Sequence, residues 1–228
     1  MKLVTVAGPP SSGKTSVILR VAEGLLREGL RLGVVKFDCL ASDDEKRYAK
    51  AGIPVKTGLA GGLCPDHFFV ANIEAALAWG KQENLDLLIS ESAGLCNRCS
   101  PHLQPVRAVC VVDNLSGVHT PGKIGPMLKN ADVVVITKGD IVSQAEREVF
   151  AFRVRQVNPK AAVLPLNGLT GQGSLLLQRH FTSAPALTTL DGEKLRFSMP
   201  AALCYYCLGE TRIGKDCQIG NVKTMDFA

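Results

Sequence analysis

The sequence predicts an α/β fold: a doubly wound, mostly parallel sheet with helices on both faces and a short Cys-rich C-terminal extension. Three observations predict it. Short β-branched runs alternate with helix-patterned segments along most of the chain. The strand candidates are almost wholly apolar, as strands covered on both faces must be. The first of them runs directly into GPPSSGKT, Gly8 to Thr15, and then into a helix. Strand–helix alternation requires crossover connections and so implies parallel strands.

Taken in order, LVTVAG (3–8) is a strand, and Lys14 to Arg27 a helix with Val17, Ile18, Val21 and Leu25 on one face. LGVVKF (32–37) is the second strand. In SDDEKRYAKAG, Ser42 is placed to cap a helix with Glu45 three residues later, and Asp43, Asp44 and Glu45 read as an ordinary solvated helix start. HFFVANIEAALAW (67–79) forms an amphipathic helix. LDLLIS (85–90), VRAVCVVD (106–113), ADVVVIT (131–137) and AAVLPL (161–166) are further strands, with helices near 143–157 and 174–180. After Phe181 the pattern breaks into a Thr/Pro-rich link and a tail carrying CYYC and Cys217. The expected division is a nucleotide-binding domain over 1–183 and a Cys-rich extension over 184–228.

The chain has 228 residues, enough for one α/β domain and a small appendage. Its net charge of +5 is mild, without a dense Lys/Arg run, and aromatic residues make up only 5%, so neither charge nor base-stacking surface points to a nucleic-acid partner. No apolar run is long enough to cross a bilayer. Met1 and Lys2 lead straight into the first strand, so a cytoplasmic protein without membrane insertion is expected. Eight cysteines are many for a reducing compartment, where metal ligation or redox chemistry is a commoner use than disulfides.

GPPSSGKT has the pattern of a phosphate cradle for ATP or GTP. Gly8 and Gly13 let the backbone turn tightly, and successive N–H groups through Ser11, Ser12, Gly13, Lys14, Thr15 and Ser16 face the anion at a helix N-terminus. Lys14 can reach the β- and γ-phosphates, and the Thr15 hydroxyl can bind Mg²⁺.

Further segments resemble, in order, the P-loop GTPases of metallocentre assembly (SIMIBI-type): the urease and hydrogenase nickel chaperones and their cobalamin-associated, CobW-like relatives. The resemblance spans roughly residues 1–180. In KFDCLASDDEKRYAKAGIP it implies that Asp38 helps hold Mg²⁺. TGLAGGLCPDH is similar to a Gly-rich turn followed by a Cys-Pro-His metal motif, here with an inserted Asp, and implies Cys64 and His67 as metal ligands. In ISESAGLCNRCSPHL, Glu91 and Gly94 match Glu-x-x-Gly, implying that Glu91 acts through Mg²⁺ or its water while Gly94 senses the γ-phosphate. Cys96, Cys99 and His102 follow in that loop and are candidate metal or iron–sulfur ligands coupled to hydrolysis. In VVVITKGD, Lys138 and Asp140 match the guanine-binding Asn-Lys-x-Asp, with Thr137 in place of Asn. In PLNGLTGQG, Thr170, Gly171 and Gly173 match a later family segment.

The tail lies outside the resemblance. Cys204, Cys207 and Cys217 suit a zinc site lacking one ligand or an iron–sulfur cluster completed from elsewhere. The leading expectation is therefore a nucleotide hydrolase, GTP favoured over ATP, that loads Ni, Zn or a [4Fe–4S] cluster onto a client metalloenzyme or its maturation complex, acting as a homodimer. An iron–sulfur ATPase driving reductive activation or cluster transfer is the alternative. A nucleotide-gated binding partner with structural zinc is a third.

Overall fold

The computed structural model describes residues 1–198, 210–218 and 222–227. Seven strands form one sheet: β1 (Lys2–Ala7), β2 (Leu32–Asp38), β3 (Val55–Leu59), β4 (Leu87–Ser92), β5 (Arg107–Asp113), β6 (Val133–Thr137) and β7 (Ala162–Pro165). Their order is β3-β2-β4-β1-β5-β6-β7 and every pairing is parallel. Among the described residues seven α-helices cover it: α1 (Lys14–Arg27), α2 (Asp44–Lys50), α3 (Pro65–Gln82), α4 (Thr120–Ile124), α5 (Pro126–Lys129), α6 (Gln144–Val157) and α7 (Ser174–Thr182).

The apolar strands are explained by burial on both faces. Successive side chains of a strand point oppositely, and Leu3 packs with α3 while Val4 packs with α1. On β5, Val109 and Val111 join the α1 side, whereas Cys110 and Val112 pack under α5 and α6. Val17, Ile18, Val21 and Leu25 of α1 are all fully buried, each contributing about 1.5–3 kcal/mol of transfer free energy.

Several expectations are corrected. Strand β3 was not expected, its residues reading as part of a Gly-rich turn; it is an edge strand with only Gly58 buried, so it lacks the apolar signature. Strand β4 runs two residues further than expected and carries Glu91 and Ser92 within the sheet. Helix α3 starts at Pro65, where a proline costs no hydrogen bond, and ends at Gln82. Ser42 does not cap α2 with Glu45: Asp43 occupies the N-cap without a side-chain capping bond, and Ser42 only accepts the Asp44 N–H at 3.3 Å. A reciprocal cap forms instead at Ser143 and Glu146 of α6.

The described part of the C-terminal segment packs into the α3 face of the core. Leu187, Leu190, Leu195 and Ile213 join that cluster. Met225 lies on Gly58, where a Cβ would meet its sulfur at 2.3 Å, and Phe227 sits 6.3 Å from Trp79, centroid to centroid. No helix among the described residues is long and apolar enough to cross a membrane.

Candidate nucleotide and metal site

The site lies at the carboxyl ends of β1, β2 and β4, beside the point where the strand order reverses, which is where open α/β sheets bind ligands. Strand β1 ends at Ala7, and the chain turns back through Gly8 at φ 147° and Gly13 at φ 93°. A Cβ at Gly8 would lie 2.0 Å from the Val111 carbonyl oxygen, so only glycine lets the loop pass this strand. Ser11 also adopts positive φ, 60°. Lys14 Nζ donates to the Gly8 and Pro9 carbonyls at 3.0 Å and to that of Ala93 at 3.4 Å. Burial pulls this ammonium below the ordinary lysine range, against the opposing attraction of Glu91.

Thr15 Oγ1 donates to Glu91 Oε1 at 2.8 Å. The same oxygen accepts from Lys36 at 3.2 Å, and Glu91 Oε2 accepts from the Tyr48 hydroxyl at 2.6 Å. Lys36 also bonds Asp44 and lies 3.6 Å from Asp38. Burial alone would lower Lys36, but Glu91, Asp44 and Asp38 together hold it above the ordinary value. Arg47 ties the cluster to the phosphate loop, with 3.0 Å bonds to both Asp44 and Ser16. A cavity of about 350 Å³ opens over these groups.

Asp38 and Glu91 line the same cavity as Lys14 and Thr15, and Asp44 joins them there, so it is no ordinary solvated residue. The expectation for it is corrected because the first turn of α2 folds back over β2; Asp43, bonded only to Lys46, stays exposed. Sequence reasoning also missed Lys36 and Tyr48. The signal for Lys36 was present: a lysine inside LGVVKF, a strand covered on both faces, demands buried partners.

On the other side of the loop, Thr137 Oγ1 donates to the Ser12 carbonyl at 2.7 Å and to that of Val112 at 3.2 Å. Lys138 donates to the Ser11 carbonyl at 2.8 Å. Asp140 is exposed and borders a cavity of about 520 Å³ with Asn114, Arg147 and Asn167. The Asn167 side chain accepts the Leu169 and Thr170 N–H groups, folding the 167–173 loop beside this cavity.

The cysteine groups that lie apart in sequence converge. Gly94 has φ 71°, and a Cβ there would stand 1.7 Å from the Gly8 carbonyl oxygen, so the loop after β4 is pressed against the phosphate loop. It then delivers Cys96 and Cys99 to the first turn of α3, where the ligand atoms of Asp66, Cys96 and Cys99 all lie within 4.8 Å of one another. Asp66, the inserted residue of the Cys-Pro-Asp-His segment, is pushed up to about 6 by burial, against a hydrogen bond with Cys99. Burial, then Asp66 and Cys96, drives the Cys99 thiol far above its usual range. Cys64, at the N-cap of α3, is near enough to raise Cys99 further. His67 is buried in the same helical turn, and burial lowers it.

His102 is corrected. Its Nδ1 pairs with Thr5 Oγ1 at 3.0 Å and its Nε2 with the Met127 carbonyl at 3.1 Å, so both ring nitrogens are engaged in the core and neither is left for a metal. Cys204 and Cys207 lie outside the described residues. Cys217 sits in a short 3-10 turn, Lys215–Cys217, and is not among the residues that converge on Cys96 and Cys99.

A parallel sheet whose first strand feeds a glycine-pinned loop, a lysine and a Thr15–Glu91 pair defines a P-loop nucleotide-binding domain. The chain belongs to the CobW/HypB/UreG family, whose nucleotide-binding domain matches residues 2–165. It is 46% identical over 226 residues to an uncharacterized protein of Methanocaldococcus jannaschii, covering 99% of this chain and 97% of that one. It is 30% identical over 148 residues to the urease accessory protein UreG 2 of Bradyrhizobium sp., covering 60% of this chain and 69% of that one. Similar solved structures include the hydrogenase maturation factor HypB of Archaeoglobus fulgidus, with TM-score 0.60, 22% identity and coverage of 78% and 87% of the two chains. HypB of Helicobacter pylori in complex with nickel gives TM-score 0.63 at 19% identity, covering 83% and 91%. At these identities the structures speak to the fold.

Proposed function

We propose that this protein is a nucleotide-hydrolysing metallocentre-assembly factor, GTP favoured, in which the nucleotide gates a transition-metal cargo held by Asp66, Cys96 and Cys99 with Cys64. One observation carries the reading: Ala93 and Gly94 touch Lys14 and Gly8, and within five residues the same loop supplies two thiols of the metal cluster.

The residues fit a Mg²⁺–nucleotide. Gly8 and Gly13 let the loop turn beside Val111 and Thr137, and Thr15, Asp38, Asp44 and Glu91 are hard oxygen donors of the kind Mg²⁺ takes. Mg²⁺ would neutralise phosphate charge there and orient the terminal phosphoryl group. Lys14, now turned onto three backbone carbonyls, would exchange them for phosphate oxygens. Ala93 would then lose its contact, and the loop from Gly94 to Cys99 would shift relative to Asp66. Thr137 bonds the phosphate loop through the Ser12 carbonyl, leaving Lys138 and Asp140 to meet the base.

Three thiols and a carboxylate suit a divalent ion such as nickel or zinc better than a [4Fe–4S] cluster, which takes four thiolates. The reading extends to a client metalloenzyme or its maturation complex as the recipient and to a homodimer as the working form. Nickel and zinc titrations of the full chain, with GDP or a non-hydrolysable GTP analogue bound, test it. We expect affinity to differ between the two nucleotide states and to collapse in Cys99→Ser. Equal affinity in both states would remove the coupling; full affinity in Cys99→Ser would remove the site.

A further inference from the structure

Lys36 has no part in the reading above, yet three carboxylates converge on it. Its Nζ bonds Asp44 and stands 3.2 Å from Glu91 and 3.6 Å from Asp38, and the residue is 4% exposed. Thr15 donates to the same Glu91 Oε1 that Lys36 bonds, so the hydroxyl and the ammonium share one acceptor. Two further cations stand nearby: Lys14 is turned onto backbone carbonyls, and Arg47 bonds the other oxygen of Asp44. A buried carboxylate such as Glu91 without a counter-charge would strongly destabilise the fold; among the described residues Lys36 is the one ammonium within 4 Å of all three carboxylates, with Arg47 sharing Asp44.

We infer that Lys36 is a built-in counter-cation of the nucleotide site: it holds Asp38, Asp44 and Glu91 together, ties α2 to β4, and competes with a divalent ion for the same oxygens. The inference rests on the Mg²⁺–nucleotide reading and adds an order of events to it. With Lys36 among them and Arg47 on Asp44, part of the carboxylate charge is already offset, which weakens the pull on a free divalent ion. The triphosphate supplies the additional negative charge that makes an ion worth accommodating. Asp44 would then exchange its bond to Lys36 for the ion, loosening the first turn of α2 from β2 while Tyr48 keeps its bond to Glu91. Lys36 is a positioning residue in this scheme, since it acts through the carboxylates.

The test uses Mn²⁺ binding to the full-length, nucleotide-free protein, followed by electron paramagnetic resonance. Lys36→Met keeps the length and removes the charge. We expect it to bind Mn²⁺ about tenfold or more tightly than the wild type, and to gain more thermal stability from the ion. Unchanged or weaker Mn²⁺ binding overturns the inference. Should Lys36→Met not fold, Asp44→Asn at the half-buried rim tests the tether in its place. Amide exchange in α2 should then quicken about tenfold in ion-free protein, with the sheet unaffected; unchanged α2 exchange overturns the inference. Binding of Mg²⁺–GTP to the wild type is measured alongside. Its failure would sink the nucleotide reading, whereas the Mn²⁺ shift and the α2 exchange test Lys36 without nucleotide.

Discussion

The Tyr48 hydroxyl donates to Glu91 Oε2 at 2.6 Å, on the opposite oxygen from the one that Thr15 holds. Helix α2 and the phosphate loop are thereby fastened to one carboxylate, itself 1% exposed. Burial, followed by the charge of Glu91, keeps the Tyr48 phenol protonated well above its ordinary range, so it remains a donor at every physiological pH.

Tyr48→Phe removes that donor and leaves the ring in place. A buried carboxylate oxygen loses its partner, at a cost of about 1–3 kcal/mol. Urea unfolding at neutral pH should show the loss as a lower midpoint with an unchanged slope. A stability equal to that of the wild type would mean that water replaces the hydroxyl.

Gly94→Ala should be far more damaging than its size suggests. The added Cβ meets the Gly8 carbonyl 1.7 Å away and a backbone φ of 71° that costs alanine roughly 1–2 kcal/mol. We expect nucleotide affinity, read by fluorescent GDP, to fall about tenfold or more. Gly62→Ala, where an added Cβ meets no atom within 4 Å, is the control and should bind as the wild type does.

His102 predicts a pH dependence. Burial, reinforced by Arg196 and opposed by the Met127 carbonyl and Asp132, lowers it from 6.5 to about 4. A depressed folded-state value means that the neutral ring's contribution is complete above 6.5 and is lost as pH falls towards 4. The loss between pH 7.5 and 4.5 from this residue should be about 3 kcal/mol. Denaturation across that range measures it; His102→Gln, which cannot titrate, should flatten the corresponding part of the curve.

Asp140→Asn addresses the base. A carboxylate facing guanine accepts from its N1–H and 2-amino group, and charged hydrogen bonds of this kind contribute about 1.5–3 kcal/mol each. GTP affinity should fall at least about tenfold, with ATP affinity unchanged. Equal losses for both nucleotides would take Asp140 out of base recognition.

The expectation for His102 failed because spacing alone cannot distinguish a ligand from a core residue. Three residues beyond Cys99, it looks like one more donor of a cluster, but β1 and α5 supply Thr5 and Met127 to saturate it. The inserted Asp66 is extra to a Cys-Pro-His motif; because α3 begins at Pro65, it is Asp66 that faces Cys96 and Cys99.

By itself the sequence determined the doubly wound sheet, through apolar strands alternating with amphipathic helices, and it determined the phosphate loop, whose glycines, lysine and threonine are contiguous. Such features are local: period, φ tolerance and side-chain type are written in neighbouring residues. Only the tertiary structure decided the rest. Lys36, Asp44, Tyr48 and Glu91 lie on three elements separated by up to 55 residues, and Asp66 meets Cys96 and Cys99 across a loop. Their charges and lone pairs acquire partners only when the sheet order sets β2 beside β4 and the loop after Gly94 reaches α3, because a buried group's chemistry depends on what surrounds it in space.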